Sequence, residues 1–318
     1  MPDLASNWAF DRYSDNIREA SVFFMKTGPS TADWSIELFS FERTVLQFGS
    51  DGGPRVVHGV SRPDAAIFML QIAKTDRPVF FDGRALRWHD MAILAPGSHF
   101  TFASHAPARW IAFSVANELI EDLLSVSKVD KPVVHRNLAV SLSRKSAQEF
   151  AETVIKVRSL VQKGKIGKGH HAMERTLLKS LKTILSDRHS EVLRPDPQIL
   201  TVEKRITIAL EYVRSKPTEN ISVNDIVGAV GISARALYRC FQSYLKVAPK
   251  DYLRFRQLNL VRRALRLDTT VVGQKNPVTL ILMKYGVSEF GRFAAEYKRL
   301  FKELPSQTWA RRSGSASR

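Results

Sequence analysis

Cysteine is almost absent: Cys240 is the only one in 318 residues. One thiol excludes an internal disulfide and any thiolate-bound zinc cluster, and its helical setting makes Cys240 a small buried hydrophobe. Apolar runs approaching the ~18 residues of a membrane span are missing. The opening MPDLASNWAFDRYSDN has no basic start followed by an apolar stretch, so it does not read as a secretion signal. These absences predict a soluble protein of a reducing compartment, the cytoplasm, with no membrane partner. Metal patterns are also scarce. His58, His89, His99 and His105 form no His-x-His pair with a following glutamate, and the adjacent His170 and His171 point about 100° apart on a helix. KGKIGKG, from Lys163 to Gly169, lacks the closing Lys-Ser/Thr of a phosphate loop and the strand before it. No serine or cysteine nucleophile has a recognisable motif. Catalytic residues, a bound metal and a cofactor are therefore all expected to be absent.

Charge of one sign is what the chain has in surplus. Forty-eight Lys and Arg against 31 Asp and Glu give a net +17, which points to a polyanionic partner, nucleic acid or an anionic membrane. The surplus is uneven. From Gln198 to the end there are 22 basic and 9 acidic residues, against 26 and 22 in the first 197. A hydrophobic content of 44% with 25% charged residues is that of a globular protein, and the length suits two domains.

Residues 35–114 read as short strands (IELFSFERTVLQF, AIFMLQI, MAILAP, RWIAFSV) parted by Asp51-Gly52-Gly53-Pro54, Asp82-Gly83 and Pro96-Gly97. That spacing predicts an antiparallel sandwich or barrel. Asn117 to Leu124 reads as a short helix, and Ser141–Gln162 with His170–His189 as a helical hairpin. Arg194-Pro195-Asp196-Pro197 interrupts the pattern, since two prolines in three residues favour an extended linker. The expected organisation is an α+β chain: an antiparallel β-barrel, cupin-like, with its hairpin over 1–193 (hairpin 141–189), a linker over 194–197, an all-α domain over 198–312 and a frayed tail over 313–318.

Within the all-α part, SVNDIVGAVGISARALYRCF (Ser222–Phe241) carries its own punctuation. Ser222 caps a helix with Asp225 three residues on, Gly231 ends it in the left-handed conformation, and Ser233 caps the next. Ile226, Val227 and Val230 face inward, as do Leu237, Cys240 and Phe241; Arg235, Tyr238 and Arg239 point elsewhere. Two short helices, a glycine turn and a polar second helix make a helix-turn-helix. The pattern recurs in VTLILMKYGVSEFGRFAAEYKRLF (Val278–Phe301), with Ile281 and Leu282 inward, Gly286 at the turn, Ser288 as cap and Phe293, Tyr297 and Phe301 as core stripe. Gly231 and Gly286 lie 55 residues apart, and Asp251–Leu267 reads as one helix between the two units.

This segment, Gln198 to Arg312, resembles the AraC-type regulators. The likeness includes Arg256, Leu260, Val261, Ala264 and Leu265 in the linking helix and the closing YKRLFKELPSQTWARR. Lys246 and Lys302 stand where the family usually has glycine, and Val227 and Leu282 where it has a small alanine. The resemblance implies a transcription factor that binds promoter DNA, with a recognition helix in each of two successive major grooves about 34 Å apart. By position, Arg235, Tyr238 and Arg239 are the base readers of the first helix; Phe290, Gly291 and Arg292 face the DNA from the second. Ala295 stands where many relatives carry arginine, so the first helix is expected to specify and the second to position. Ser233, Arg254, Lys284, Ser288, Lys298 and Arg299 would serve phosphates. A homodimer formed through the apolar stripe of the hairpin, a contact with RNA polymerase and association with the nucleoid follow from the family alone.

DGRALRWHDMAILAPGSHFTF (Asp82–Phe102) resembles the small-barrel effector domain that precedes such DNA-binding domains, through Gly83, Trp88, Pro96-Gly97 and Phe113. A barrel of this size can hold one small ligand, with Trp34, Phe68, Phe80, Phe81, Trp88 and Trp110 as candidate lining or as plain core. Two other readings stay open: a cupin-like enzyme tethered to DNA by its basic end, and a nucleoid binder with no sequence preference. No residue pattern separates activation from repression.

Overall fold

The computed structural model describes residues 10–72, 77–124, 136–163, 170–193 and 197–314. Among these residues twelve strands form two antiparallel sheets. The first sheet runs β1 (Ala20–Lys26), β4 (Arg55–Ser61), β9 (His99–Ser104), β6 (Val79–Phe81), β7 (Arg84–Leu86). The second runs β12 (Glu191–Leu193), β11 (Leu138–Ser141), β8 (Asp90–Leu94), β5 (Ala65–Gln71), β10 (Ala108–Ala116), β3 (Thr44–Asp51), β2 (Ser35–Ser40). The expected α+β class holds: among the described residues the sheets end at β1, β7, β12 and β2 and, without closing, are compatible with the expected cupin-like barrel.

Period-two alternation assigns every strand face to a layer. Along β10, Trp110 and Ala112 point between the sheets, while Ile111, Phe113 and Val115 point outward. The outward face meets the helical hairpin α2 (Arg144–Gln162) and α3 (His170–Leu185). In the first sheet, Phe24, Val57 and Phe102 point between the sheets, and Met25, Val56 and Ala103 point to the C-terminal helices. The layers are therefore hairpin, seven-stranded sheet, five-stranded sheet, C-terminal helices. Strands buried on both faces read as continuous apolar runs such as AIFML, as observed.

The helix Asn117–Leu124, here α1, lies where expected. The hairpin begins later than expected, because Leu138–Ser141 is drawn into the sheet and Ser143 caps α2 by accepting from Ser146 N–H at 3.0 Å. Of the hairpin stripe, Phe150, Val154, Val157, Leu177 and Leu181 are buried on the chain's own sheet, while Leu160 and Leu178 pack there half-buried.

The C-terminal helices are α4 (Pro197–Ser215), α5 (Val223–Val230), α6 (Ala234–Tyr244), α7 (Pro249–Leu267), α8 (Pro277–Lys284), α9 (Phe290–Phe301) and α10 (Pro305–Gly314). Pro197, expected in the linker, opens α4 at a first-turn position where a missing N–H costs nothing. Linker residues 194–196, most of KGKIGKG and tail residues 315–318 lie outside the described residues. Ser313 and Gly314, expected in the tail, still belong to α10. No helix among the described residues is long and apolar enough to cross a membrane.

Candidate nucleic-acid interface

The first helix-turn-helix forms as its local signals dictate. Ser222 and Asp225 make a reciprocal capping box, Gly231 sits at φ 70°, and Ser233 accepts from Ala236 N–H at 3.2 Å. Leu237, Cys240 and Phe241 are buried, so Arg235, Tyr238 and Arg239 are left on the exposed face, with Tyr238 52% exposed. Val227 and Val230, expected inward, are only half-buried.

The second unit departs by one residue. Gly286 takes φ 69° and closes a Schellman turn, with Gly286 N–H donating to Met283 O (2.9 Å) and Val287 N–H to Leu282 O (3.0 Å). The N-cap of α9 is then Glu289, with no side-chain cap bond, and not Ser288 as expected. The core stripe explains the shift. Leu237, Phe241 and Leu245 correspond to Phe293, Tyr297 and Phe301, a spacing of 56 rather than 55, so the second turn holds one more residue. Lys246 and Lys302 obey the same spacing, both at φ 60°. They fill the left-handed positions where glycine carries no Cβ penalty. The 56-residue register sets Gly291, Ala294 and Ala295 opposite Arg235, Tyr238 and Arg239.

The proposed contact residues differ in how they are held. Ser233, Arg235, Arg239, Ser288, Phe290, Gly291, Lys298 and Arg299 are exposed, and among the described residues Arg235, Arg239, Lys298 and Arg299 form no ion pair. Three other cations are engaged. Lys284 Nζ donates to Asp268 at 2.8 Å, Arg292 contacts Glu289 (3.4 Å) and Glu296 (3.2 Å), and half-buried Arg254 pairs with Glu296 and donates to Gln257 at 2.8 Å. Burial works to raise the Glu296 carboxyl, yet Arg254 and Arg292 hold it below the usual glutamate range.

Several polar residues of α7 are buried. Arg256 donates to Val213 O (2.8 Å) and Lys216 O (2.9 Å), closing the end of α4. Asn259 reads the backbone of Lys26 in both directions, accepting from N–H at 3.1 Å and donating to C=O at 2.9 Å. Arg262, 3% exposed, forks onto Asp11 (2.9 and 2.7 Å) and reaches Glu303 at 2.7 Å. The Tyr252 hydroxyl lies 3.0 Å from His58 Nε2, and Lys246 Nζ stands 4.2 Å over the Phe80 ring. None of these contacts was visible in the sequence, where such residues look like one more basic helix face.

The joint between sheet and helices holds two titratable groups of opposite sense. Burial, helped by Glu203, raises Asp82 to about 7; its carboxylate accepts from Thr101 N–H (2.7 Å) and Asn137 Nδ2 (2.8 Å). Burial, with Arg214 and Arg256 nearby, lowers His58 to about 4. A raised carboxyl loses stability as pH climbs from about 4 to 7, whereas a lowered histidine loses it as pH falls from about 6.5 to 4. The two oppose each other in one window. Asp82→Asn should therefore be more stable than wild type at pH 8, by roughly 1–2 kcal/mol, and should lose that advantage as pH falls to 4. Urea unfolding across pH 4–8 checks this; parallel curves for the two proteins would refute it.

Between the sheets lies a largely apolar cavity of about 80 Å³. Of the aromatics expected to line it only Trp110 does. Trp34 and Phe81 fill the core between the sheets, Phe68 and Trp88 pack toward the hairpin, and Phe80 faces the C-terminal helices. Gln71, 7% exposed, lines the cavity with an amide Nε2 that has no hydrogen-bond partner among the described residues. One possible metal grouping occurs among the described residues: ligand atoms of Glu42, His171 and Glu174 lie within 4.8 Å of one another. They are already satisfied locally, Glu42 by His171 at 3.1 Å and Glu174 by Arg43 N–H and the Thr44 hydroxyl at 2.9 Å.

Comparison with known proteins agrees with the duplicated motif. The family described as "Helix-turn-helix domain" matches residues 226–311. XylDLEGF operon transcriptional activator 2 of Pseudomonas putida is 31% identical over 99 residues, 31% of this chain and 61% of that protein. XylDLEGF operon transcriptional activator 1 of the same species is 33% identical over 103 residues, 32% of this chain and 30% of that protein. The family match spans both helix-turn-helix units of the helical C-terminal region. The matched stretch is less than two thirds of either activator. A crystal structure of a transcriptional regulator with an AraC-type DNA-binding domain, from Chromobacterium violaceum, is 27% identical, covering 36% of this chain and 96% of that one at a TM-score of 0.30.

Proposed function

We propose that this chain is a sequence-specific DNA-binding transcription regulator of the cytoplasm that acts by binding, with no catalytic step. The observation that carries this is the first recognition helix: α6 buries one face and presents Arg235, Tyr238 and Arg239 outward, with both arginines free of ion pairs among the described residues. Arginine grips guanine O6 and N7 in a major groove about 12 Å wide, and each such pair discriminates by ~1–3 kcal/mol. The second unit has glycine and alanines at the matching positions, so it positions through Lys298 and Arg299, with Phe290 set against a thymine methyl. Ser233 and Ser288 offer hydroxyls to phosphate at the two helix starts. Arg254, Lys284 and Arg292 reach DNA only by exchanging a carboxylate for a phosphate. The division into an effector part over 1–193 and a DNA-binding part over 198–312 belongs to the same proposal, as does activation with RNA polymerase as a contact, the sign printed in the relatives' names.

The cavity between the sheets, with the unpartnered Gln71 amide as donor, supports a small apolar effector bearing one hydrogen-bond acceptor. Selection of random duplexes by the purified protein near physiological salt tests the whole proposal. Two short boxes about one helical turn apart are expected. Recovery of no motif, with binding that vanishes as salt rises, would leave a non-specific binder.

A further inference from the structure

The second unit carries a negative charge where the first has none. In the 56-residue register Glu296 corresponds to Cys240, which is buried and uncharged. Glu296 is 21% exposed and bridges two arginines from different helices: Arg254 of α7 pairs with Oε2, and Arg292 of α9 donates to Oε1 at 3.2 Å. Arg254 is further fixed by Gln257, which in turn donates to Tyr285 O at 2.9 Å, and its guanidinium stacks 5.2 Å from the Phe293 ring. Arg254, Gln257, Tyr285, Arg292 and Glu296 line one groove that also contains Lys250 and Arg299.

A carboxylate held between two guanidinium groups has the charge and geometry that a DNA phosphate presents to the same groups. We propose that Glu296 is an internal substitute for phosphate, and that its pairs with Arg254 and Arg292 set how strongly the second helix-turn-helix engages DNA. The inference rests on the DNA-binding reading and adds its control element. Engagement requires phosphate oxygens to displace Glu296 from both arginines, so the unit binds a backbone that is already aligned by the first helix and holds random DNA poorly. Glu296 is a positioning residue, acting through the two arginines.

The test is the salt dependence of duplex binding by the full-length chain. Each phosphate neutralised contributes a slope of about −0.9 in log K against log salt. Glu296→Gln frees two arginines while keeping shape and hydrogen bonding, so its slope on random DNA should steepen by roughly one to two and its low-salt affinity should rise. Glu296→Asp should retain the wild-type slope. Adding Arg292→Gln to Glu296→Gln should remove about half of the gain on random DNA, whereas Arg292→Gln alone should flatten the slope by about one on the selected motif, where phosphate has displaced Glu296, and change it little on random DNA. A Glu296→Gln slope equal to wild type overturns the proposal. So does a loss of affinity for the selected motif at unchanged slope, which would make Glu296 a base contact. Should Glu296→Gln not fold, Arg292→Gln alone decides: a slope on random DNA that flattens by about one shows Arg292 already on phosphate without alignment and refutes the proposal. A wild-type protein with no affinity for duplex DNA at low salt instead fails the DNA-binding reading itself, which the wild-type arm reports before any variant is made.

Discussion

Arg262→Ala should destabilise the full chain by about 3–5 kcal/mol, because it strands two buried carboxylates. Asp11 is 3% exposed and Glu303 1%, and Arg262 lies between them. Glu303 keeps one other cation, Arg311 at 2.6 Å, and Asp11 keeps Arg266 at 3.2 Å, so the loss falls short of two uncompensated charges. Arg262→Lys should recover only part, since an ammonium cannot reproduce the two-pronged bond to Asp11. Denaturant unfolding measures both variants. A loss below about 1 kcal/mol for the alanine variant would mean that water reaches the carboxylates and that the joint is not closed in solution.

Arg239→Ala should cost about 1–3 kcal/mol on the selected motif, roughly ten- to a hundred-fold in affinity, and much less on random DNA. The contrast follows from placement. Arg239 stands on the exposed face of a helix whose other face is fully buried, so its removal leaves the fold untouched. Binding isotherms on both DNAs at one salt concentration decide the matter. Equal losses on both would demote Arg239 to a phosphate contact. The equivalent position in the second unit is Ala295, so that helix offers no comparable loss.

The helix-turn-helix units were legible because their signals are local. Ser222, Asp225, Gly231 and Ser233 act within a few residues of themselves, and each is found in the role that its chemistry dictates. Ser288 failed for an instructive reason. The glycine spacing and the core spacing differ by one, and only Phe293, Tyr297 and Phe301 carry the register of the buried face. Matching hydrophobic stripes in place of glycines would have put Glu289 at the cap. Strands were legible from β-branched and aromatic runs, but their sorting into two open sheets was not. A strand buried on both faces shows no alternation to say which face meets which layer. Trp88, Phe68 and Phe80 were offered to a pocket that they do not line for that reason. The joint between Asn259, Arg262 and the N-terminal strands was the least legible, since a polar residue on a basic helix carries no sign of a partner more than two hundred positions away.

That separation also has a consequence in time. Asn259 and Lys26 are 233 residues apart, and Arg262 and Asp11 are 251. At ~5–20 residues per second of synthesis, β1 waits roughly 10–50 s for the helix that reads its backbone. Met25, Val56 and Ala103, which pack with the C-terminal helices in the folded chain, gain that cover only once those helices are made. The nascent first sheet thus spends most of its manufacture as an unfinished surface, and the stretch of chain that completes it is the same one that carries the DNA-binding helices.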